Sequence, residues 1–263
     1  MKNIKLIGGF LILIALLACG KSDKDKANEK LNIAVTLLAK GDTATALLQL
    51  DSVQISFPQV REVGKDANEL EDKIYTEIYA KKQDQLNQLN NRSTELEKLF
   101  DKEKTEFDRY TQYIHKAQKF EHRWNQSYIQ LHLNEKGDLY ISSNYYGSDW
   151  LNHTGIRVYD GIFQAKTDSV SLDDTMNNHH SDFMNLHWEK VNYRNGKDNG
   201  VIQFIAEHAD KNLKAVFLGK KMYFIVLESF DKQAIKDALA LSNALKRKTE
   251  LQSELKELQL RLN

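Results

Sequence analysis

Glycine and aromatic residues are distributed very unevenly along this chain of 263 residues. The stretch 126–228 holds 14 of the 25 aromatic residues and 7 of the 12 glycines. By contrast, residues 65–136 and 220–263 contain neither glycine nor proline. Because glycine and proline mark turns while aromatic residues favour strands, this distribution predicts a β-rich head between two helical arms. The expected fold class is therefore α+β.

The first 20 residues have the pattern of an export signal. A short basic start is followed by an apolar run of 13 residues, Leu6 to Ala18. That run is shorter than the ~20 residues of a membrane span and has the length of a signal-peptide core. It ends in Leu16-Leu17-Ala18-Cys19-Gly20, which resembles the lipobox of bacterial lipoproteins.

The lipobox resemblance implies that residues 1–18 are removed as a signal peptide and that lipid, palmitate included, is attached to Cys19. The protein would then be anchored to a membrane that it does not span. An ordinary signal peptide followed by an incidental cysteine is the alternative. Cys19 is the only cysteine, so no disulfide framework is expected elsewhere in the chain.

Residues 19–26 are small and charged, which predicts a flexible tether. Within them, Ser22-Asp23-Lys24-Asp25 resembles the acidic tags that follow the lipidated cysteine in surface-exposed lipoproteins of the Bacteroides and Flavobacterium group. The whole chain resembles uncharacterised lipoproteins of the Bacteroides group. This resemblance implies the cell envelope and carries over no activity. The outer membrane is the expected location, with its periplasmic and surface faces both left open.

The charge balance limits the classes of partner. Lys+Arg and Asp+Glu are both 37, so the formal net charge is zero. A nucleic-acid partner would favour a strongly basic face, so nucleic acid is not expected to bind. The expected partners are the lipid membrane, through Cys19, and an envelope protein or glycan.

Apolar residues at helical spacing in residues 27–58 predict two short helices that pack as a hairpin. Gly41 is expected to end the first helix, and Asp42 or Thr43 to cap the second. Phe57-Pro58 is expected to end the second helix, because proline disfavours helical geometry in the residue before it.

The two arms show the spacing of a coiled coil. Residues 63–121 predict one long helix, and in its second half apolar residues recur at alternate spacings of three and four. Residues 229–263 show the same spacing. Two helices that flank one head must run antiparallel, so we expect a long antiparallel coiled-coil stalk with Leu96 near Leu251 or Leu255. Pairing of each arm with another copy of the chain is the alternative.

The head at 126–228 contains short alternating segments that predict about eight strands. Asp160-Gly161 is the strongest short hairpin signal in the chain. Regular spacing of strands and turns is typical of antiparallel sheets, so we expect a β-sandwich-like head inserted between the two stalk helices. The expected strands are 127–133, 139–143, 155–159, 162–167, 187–193, 201–207, 213–218 and 222–227.

One connection in the head, residues 144–153, is rich in aromatic and polar side chains. Aromatic planes beside amide and carboxylate groups are what a carbohydrate or peptide surface uses, because they combine apolar stacking with directional hydrogen bonds. Packing of the aromatic rings over the end of the sheet is the alternative. The candidate ligand-binding residues are Tyr145, Tyr146, Asp149, Trp150 and Asn152.

A second connection, residues 171–185, contains His179, His180 and Asp182. Imidazole and carboxylate groups at close spacing can bind zinc or another divalent metal, or take part in a hydrolase site. A solvated, hydrogen-bonding loop is the alternative, because adjacent histidines on an extended chain point in different directions. The sequence contains no nucleophile elbow, phosphate loop, dinucleotide fingerprint or HExxH motif, so no cofactor is expected.

Three hypotheses for the function follow. The first is a membrane-anchored envelope lipoprotein whose β head binds a ligand or protein partner without catalysis. The second is an envelope structural or assembly factor that acts through its coiled coil. The third is a hydrolase or metalloenzyme centred on the histidine-containing connection.

Overall fold

The computed structural model describes residues 21–118 and 125–262. The predicted signal peptide at 1–18 and the predicted lipidation site at Cys19 lie outside these residues. Within the described residues the chain is α+β, with five α helices and ten strands. The described residues form two units, one of residues 21–79 with Leu262 and one of residues 80–261. No helix among the described residues is long and apolar enough to cross a membrane.

The first unit contains α1 (Asp23–Ala39), α2 (Thr43–Ser56) and the beginning of α3 (Arg61–Glu97). The two helices predicted in residues 27–58 are therefore present. Their core is built from alanines and aliphatic side chains at helical spacing, and the small side chains let the helices approach closely. The buried residues of this core are Ala27, Ala34, Ala46, Leu50, Val53, Val63, Ala67 and Ile74.

The start of α1 corrects the prediction of a flexible tether over residues 19–26, which is wrong from Asp23 onward. The Asp25 N–H donates a hydrogen bond to the Ser22 hydroxyl at 3.2 Å, and the Ser22 N–H donates to the Asp25 carboxylate at 3.1 Å. This capping box satisfies two backbone donors at the start of the helix. The acidic residues therefore stabilise a helix instead of forming free chain.

The turn between α1 and α2 is as expected from its residues. Gly41 has a φ of +81°, and its N–H donates to the Leu38 carbonyl at 2.9 Å while the Asp42 N–H donates to the Leu37 carbonyl at 3.0 Å. These bonds form a Schellman motif, which glycine favours because it has no Cβ. Asp42 then caps α2 by accepting a hydrogen bond from the Thr45 N–H at 3.1 Å.

The prediction of one helix over residues 63–121 is wrong beyond Glu97, where α3 ends. β1 (Phe100–Glu103) and β2 (Gln112–His115) follow and pair antiparallel, and a short 3-10 helix (Lys116–Gln118) comes after them. The rings of Phe100 and Tyr113 meet edge to face at 6.2 Å and join the core of the second unit. Burial of these rings in the core therefore favours strands here, although the spacing of apolar residues predicted a helix. Residues 119–121 lie outside the described part of the chain.

The second unit contains two sheets in which all neighbouring strands are antiparallel. The larger sheet has the order β1-β2-β3-β4-β8-β7, so the predicted head at 126–228 lacked its first two strands. The smaller sheet has the order β10-β9-β5-β6. The remaining strands are β3 (Tyr128–Asn134), β4 (Leu139–Gly147), β5 (Gly155–Tyr159), β6 (Gln164–Lys166), β7 (Asn178–Phe183), β8 (Leu186–Tyr193), β9 (Lys214–Leu218) and β10 (Met222–Val226).

Two predictions within the head are corrected. The strand expected at 201–207 is a helix, α4 (Val201–Glu207), whose buried residues Val201, Ile202, Ile205 and Ala206 recur at helical spacing. The connection at 171–185 is not a loop throughout, because β7 lies within it and pairs with β8. In both cases the local sequence fits more than one type of secondary structure about equally well, and tertiary packing selects one of them.

α5 (Ser229–Leu262) contributes to the core with its first half and contacts α3 with its second half. Its buried residues Ile235, Ala238, Leu241 and Leu245 share one core with inward side chains of both sheets. Further along, Lys82 of α3 forms an ion pair with Glu254.

The register predicted for the two arms is wrong. Antiparallel pairing of Leu96 with Leu251 would have placed Glu254 near Ser93, but its ionic partner is Lys82. Leu96 instead packs against the core shared by the sheets and α5. The difference arises because the first arm is not helical beyond Glu97, so only the end of α3 is available to α5.

Candidate functional site

The aromatic connection at 144–153 is part strand and part loop. Its first residues belong to β4, where Tyr145 points into the core and is 5% exposed. The Tyr145 hydroxyl donates a hydrogen bond to the Asp149 carbonyl at 2.9 Å, and its ring meets that of Tyr223 edge to face at 5.2 Å. Tyr145 is therefore a packing residue without an exposed ring face. Tyr146, the next residue, faces the opposite side of the sheet.

The remaining candidates in this connection make mainly structural contacts. The Trp150 ring stacks on that of His180 at 5.2 Å, which brings together the two connections that the sequence analysis singled out. Asn152 has a φ of +51°, and its N–H donates to the Glu189 carboxylate at 2.8 Å. Asp149 forms an ion pair with Lys221 at 3.0 Å, and both side chains are well exposed.

Glu189 holds this connection against the sheet. Its carboxylate is 1% exposed and accepts hydrogen bonds from the N–H groups of Leu151, Asn152 and His153 at 2.7, 2.8 and 2.9 Å. The fourth contact is to His153 Nδ1 at 2.6 Å. Burial raises the pKa of the Glu189 carboxyl, but the hydrogen bonds from His153 and Asn152 outweigh burial and hold the pKa below its usual value.

The buried network continues beyond His153. His153 Nε2 lies 2.8 Å from Ser143 Oγ, which lies 2.8 Å from the Tyr193 hydroxyl. Serine, histidine and glutamate thus stand in the order of a hydrolase triad. However, Ser143 and His153 are both 0% exposed, and a nucleophile must reach the substrate. This arrangement ties two strands, β4 and β8, to the loop that carries His153 in the folded state.

No sequence pattern predicted this network. Ser143, His153 and Glu189 are distant in the sequence, and no motif connects them. One signal was present, because Glu189 stands at an inward position of β8 together with the buried Val191 and Tyr193. A carboxylate at such a position is almost always paired.

The histidine-containing connection forms β7 at the edge of the larger sheet. His179 and His180 are adjacent on a strand and therefore face opposite sides. His179 Nε2 lies 3.1 Å from the Met176 carbonyl oxygen, and His180 Nε2 lies 3.0 Å from Asn178 Oδ1. Asp182 is paired in register with His187. Among the described residues, no three His, Cys, Asp or Glu side chains are grouped so that they could hold a metal ion.

The outward side of β3, β4 and β8 carries a continuous set of aromatic and polar side chains, which we call the polar face. Its residues alternate with those that enter the core, and the strand registers place them side by side. Of the sequence candidates, only Tyr146 belongs to it. The polar face consists of Tyr128, Gln130, His132, Tyr140, Ser142, Asn144, Tyr146, Trp188, Lys190 and Asn192, together with Arg194, which directly follows β8 and contacts Tyr140.

Stacking and hydrogen bonds order the side chains of the polar face. The rings of His132 and Tyr140 are parallel within 8° at 4.4 Å, and the Arg194 guanidinium lies 4.6 Å from the Tyr140 ring centre. The rings of Tyr146 and Trp188 lie 5.2 Å apart. Tyr128, Ser142 and Asn192 are buried, and the other members of the polar face are partly or fully exposed. The accessible aromatic, amide and cationic groups are thus preordered, which suits them to bind a polar ligand that has apolar ring faces.

Comparisons of this chain with protein-family models, with curated proteins and with solved structures give no match. The function is therefore argued from the geometry of these groups and from the sequence signals.

Proposed function

We propose that this protein is a lipid-anchored protein of the cell envelope, in the outer membrane, and that it binds a ligand or protein partner through the polar face without catalysing a reaction. The observation that carries the proposal is that the two sides of the larger sheet carry different kinds of side chain. Inward residues of β3, β4 and β8 supply the core, while the outward residues present rings, amides and cations. The accessible rings on the outward side can stack on a ligand as well as on one another.

The absence of catalysis is part of the proposal. Ser143 and His153, which resemble a nucleophile and its base, are completely buried in the core. The Ser143 hydroxyl also contacts the hydroxyl of Tyr193. A substrate carbonyl would have to displace core side chains to approach Ser143 Oγ. Binding therefore explains the polar face, and packing explains the buried network.

Lipid anchoring rests on the sequence Leu16-Leu17-Ala18-Cys19. Mass spectrometry of the protein purified from bacterial membranes should find acyl chains on an N-terminal Cys19. A Cys19→Ser variant should lack them and should no longer partition into detergent. Cleavage of the wild-type protein without acylation would instead indicate an ordinary signal peptide.

The binding proposal is tested by changing the rings of the polar face. Trp188→Ala and Tyr146→Ala should lose partners that the wild-type protein retains in a pull-down from detergent-solubilised envelopes. Phe107→Ala is a matched control, because Phe107 is 89% exposed and lies in the connection between β1 and β2. Thermal unfolding of each variant checks folding. Retention of every partner by both polar-face variants would contradict the proposal.

A second candidate function, that of an envelope assembly factor, is favoured by apolar side chains exposed on the helices. Leu48 and Ile55 of α2 are 65% and 79% exposed and lie two turns apart, on one side of the helix. Such residues can dock a protein partner. Such a factor acts through the surface of α2 or through a coiled coil of α3 with α5. If the surface of α2 is the functional one, Leu48→Lys and Ile55→Lys should remove partners that Trp188→Ala retains.

A further inference from the structure

We propose that the ligand of the polar face is an acidic oligosaccharide, whose anionic groups contact Lys190 and Arg194 while its sugar rings lie on Trp188 and Tyr146. This inference rests on the proposed function and adds the chemical class of the ligand. These four side chains lie along one side of the sheet, and the two cations have no anionic partner among the described residues.

The placement forms a line along β8. Trp188 and Lys190 lie on the same side of the sheet, because side chains alternate along a strand. Arg194 directly follows β8, and its contacts with the Tyr140 hydroxyl and ring place its guanidinium on that side. At about 3.4 Å per residue, the α-carbons of Lys190 and Trp188 are about 7 Å apart and those of Lys190 and Arg194 about 14 Å apart. Tyr146 stands opposite Trp188, and Asn144 stands opposite Lys190. An extended ligand would meet the aromatic pair first, then Lys190 with Asn144 opposite it, and then Arg194, while Asn192 between the two cations is buried.

Neither cation has an anionic partner among the described residues. Lys190 Nζ donates to Gln130 Oε1 at 3.3 Å, and the Arg194 guanidinium donates to the Tyr140 hydroxyl at 2.8 Å. Both acceptors are neutral. Burial, and then the nearby charge of Arg194, lowers the pKa of Lys190. An anion bound between the two cations would offset their mutual repulsion.

A groove of about 410 Å³ adjoins the Arg194 end of the polar face. Its lining includes Tyr140, Arg194 and Lys246, with Asp138 as the one carboxylate. The Asn134 side-chain amide already donates to Asp138 at 2.9 Å. The groove therefore extends the positive region beyond the end of β8 and gives an oligosaccharide a place to continue.

Other polyanions fit this surface less well. Asp101 and Glu103 line a second groove, beside Gln130 and His132, at the other edge of the same sheet. A nucleic acid that crossed the sheet would bring its phosphates toward these carboxylates, and the chain as a whole has no net charge. Two cations with flanking amides and rings match a ligand that has few charges, many hydroxyl groups and apolar ring faces.

The test uses calorimetric titration of the lipid-free protein, residues 20–263, with matched oligosaccharide pairs. The pairs are hexagalacturonate with its methyl ester, and a chondroitin sulfate hexasaccharide with its desulfated, carboxyl-reduced form. At least one acidic member should bind about ten-fold or more tightly than its neutral counterpart, and added salt should weaken that binding. A dT oligonucleotide is the control for charge alone, because it is a polyanion whose internal sugars carry no free hydroxyl groups.

Variants assign the binding to the polar face. Lys190→Gln and Arg194→Gln should each weaken acidic binding by about ten- to a hundred-fold, which is the effect of losing one charge-assisted hydrogen bond. Lys190→Arg, which keeps the charge, should retain most of the affinity. Lys256→Gln is the control, because Lys256 is exposed on α5 and has the same change of charge.

The outcomes separate this inference from the proposed function. Equal affinity for acidic and neutral members would overturn the ligand class and leave the polar face as a binding surface. Failure of every acidic member to bind, or tighter binding of dT, would also overturn it. The proposed function itself is decided by the Trp188→Ala pull-down, which changes no charge.

Discussion

Glu189 and Lys190 are neighbours on β8, yet the protein surrounds their charges in opposite ways. Glu189 faces the core, where three backbone N–H groups and His153 contact its carboxylate. Lys190 faces outward, where its one hydrogen-bond acceptor among the described residues is the neutral Gln130. Because side chains alternate along a strand, the carboxylate of Glu189 is surrounded by hydrogen-bond donors, while the ammonium group of Lys190 has no anionic partner among the described residues.

The difference follows from what folding requires of each position. A buried carboxylate without donors would oppose folding strongly, so its partners are a condition of the folded state. A partly exposed cation keeps some water and needs no internal counter-charge. We infer that the inward side of the strand is arranged for stability and that the outward side is left open to a ligand.

Removing the inward carboxylate should have the largest effect on stability. Glu189→Ala leaves the donors of the 149–153 segment unpaired, and we expect the free energy of unfolding to fall by about 3–5 kcal/mol. Urea denaturation measures the loss. Glu257→Ala, an exposed position on α5, should change the same quantity by less than about 0.5 kcal/mol. If Glu189→Ala lowered the free energy of unfolding by less than about 1 kcal/mol, Glu189 would not be the stabilising counterpart of Lys190.

The segment held by Glu189 also makes a close backbone contact that can be tested separately. A Cβ on Gly219 would lie 2.2 Å from the Leu151 carbonyl oxygen and 2.9 Å from the His153 α-carbon. Gly219→Ala should therefore lower the free energy of unfolding by about 1–3 kcal/mol. Gly64→Ala is the matched control, because its nearest atom is 3.5 Å away and alanine favours a helix interior. Equal effects of the two changes would contradict a rigidly held segment.

His132 tests the electrostatics of the outward side. Burial, with the charges of Lys190 and Arg194, lowers its pKa from 6.5 to about 3. As the pH falls, the unfolded chain therefore binds the proton first, and stability present above pH 6.5 is lost between pH 6.5 and about 3. His132→Gln should reduce the stability difference between about pH 7 and pH 5 by about 1–2 kcal/mol. The exposed His179→Gln serves as the control, and an unchanged pH profile in His132→Gln would refute the assignment.

Removing the outward cation should have the smallest effect on stability. Lys190→Gln loses no ion pair and relieves repulsion from Arg194, so the free energy of unfolding should stay within about 0.5 kcal/mol of the wild-type value or rise slightly. Thermal unfolding at low and high salt measures this change. A destabilisation above about 1 kcal/mol would mean that Lys190 is a structural residue and would remove the contrast with Glu189.

Turns and caps were the most predictable features, because their chemistry is local. Gly41 adopts a positive φ at the end of α1. Asp160-Gly161 forms the turn between β5 and β6, where the Asp160 carboxylate accepts hydrogen bonds from the N–H groups of Ile162 and Phe163 at 2.9 and 2.8 Å. Such contacts join residues that are adjacent in the chain, so residue type and spacing suffice to predict them.

The site was much less predictable. Tyr146 and Trp150 were grouped in one connection, but strand alternation and the following turn place them on opposite sides of the larger sheet. The cations of the polar face gave no sequence signal, because lysine and arginine on a strand are ordinary solvent-facing residues. Their significance depends on the absence of a carboxylate beside them among residues 21–118 and 125–262, which is a property of the assembled sheet.

By itself the sequence determined the α+β class, the first two helices, most strands of the head and the turns between them. Local backbone preferences and the alternation of apolar residues decide these features. Tertiary structure alone decided that residues 100–103 and 112–115 are strands, that 201–207 is a helix, and that Glu189 meets His153 and Ser143. The physical reason is that these patterns fit more than one periodicity, and burial against distant residues selects between them.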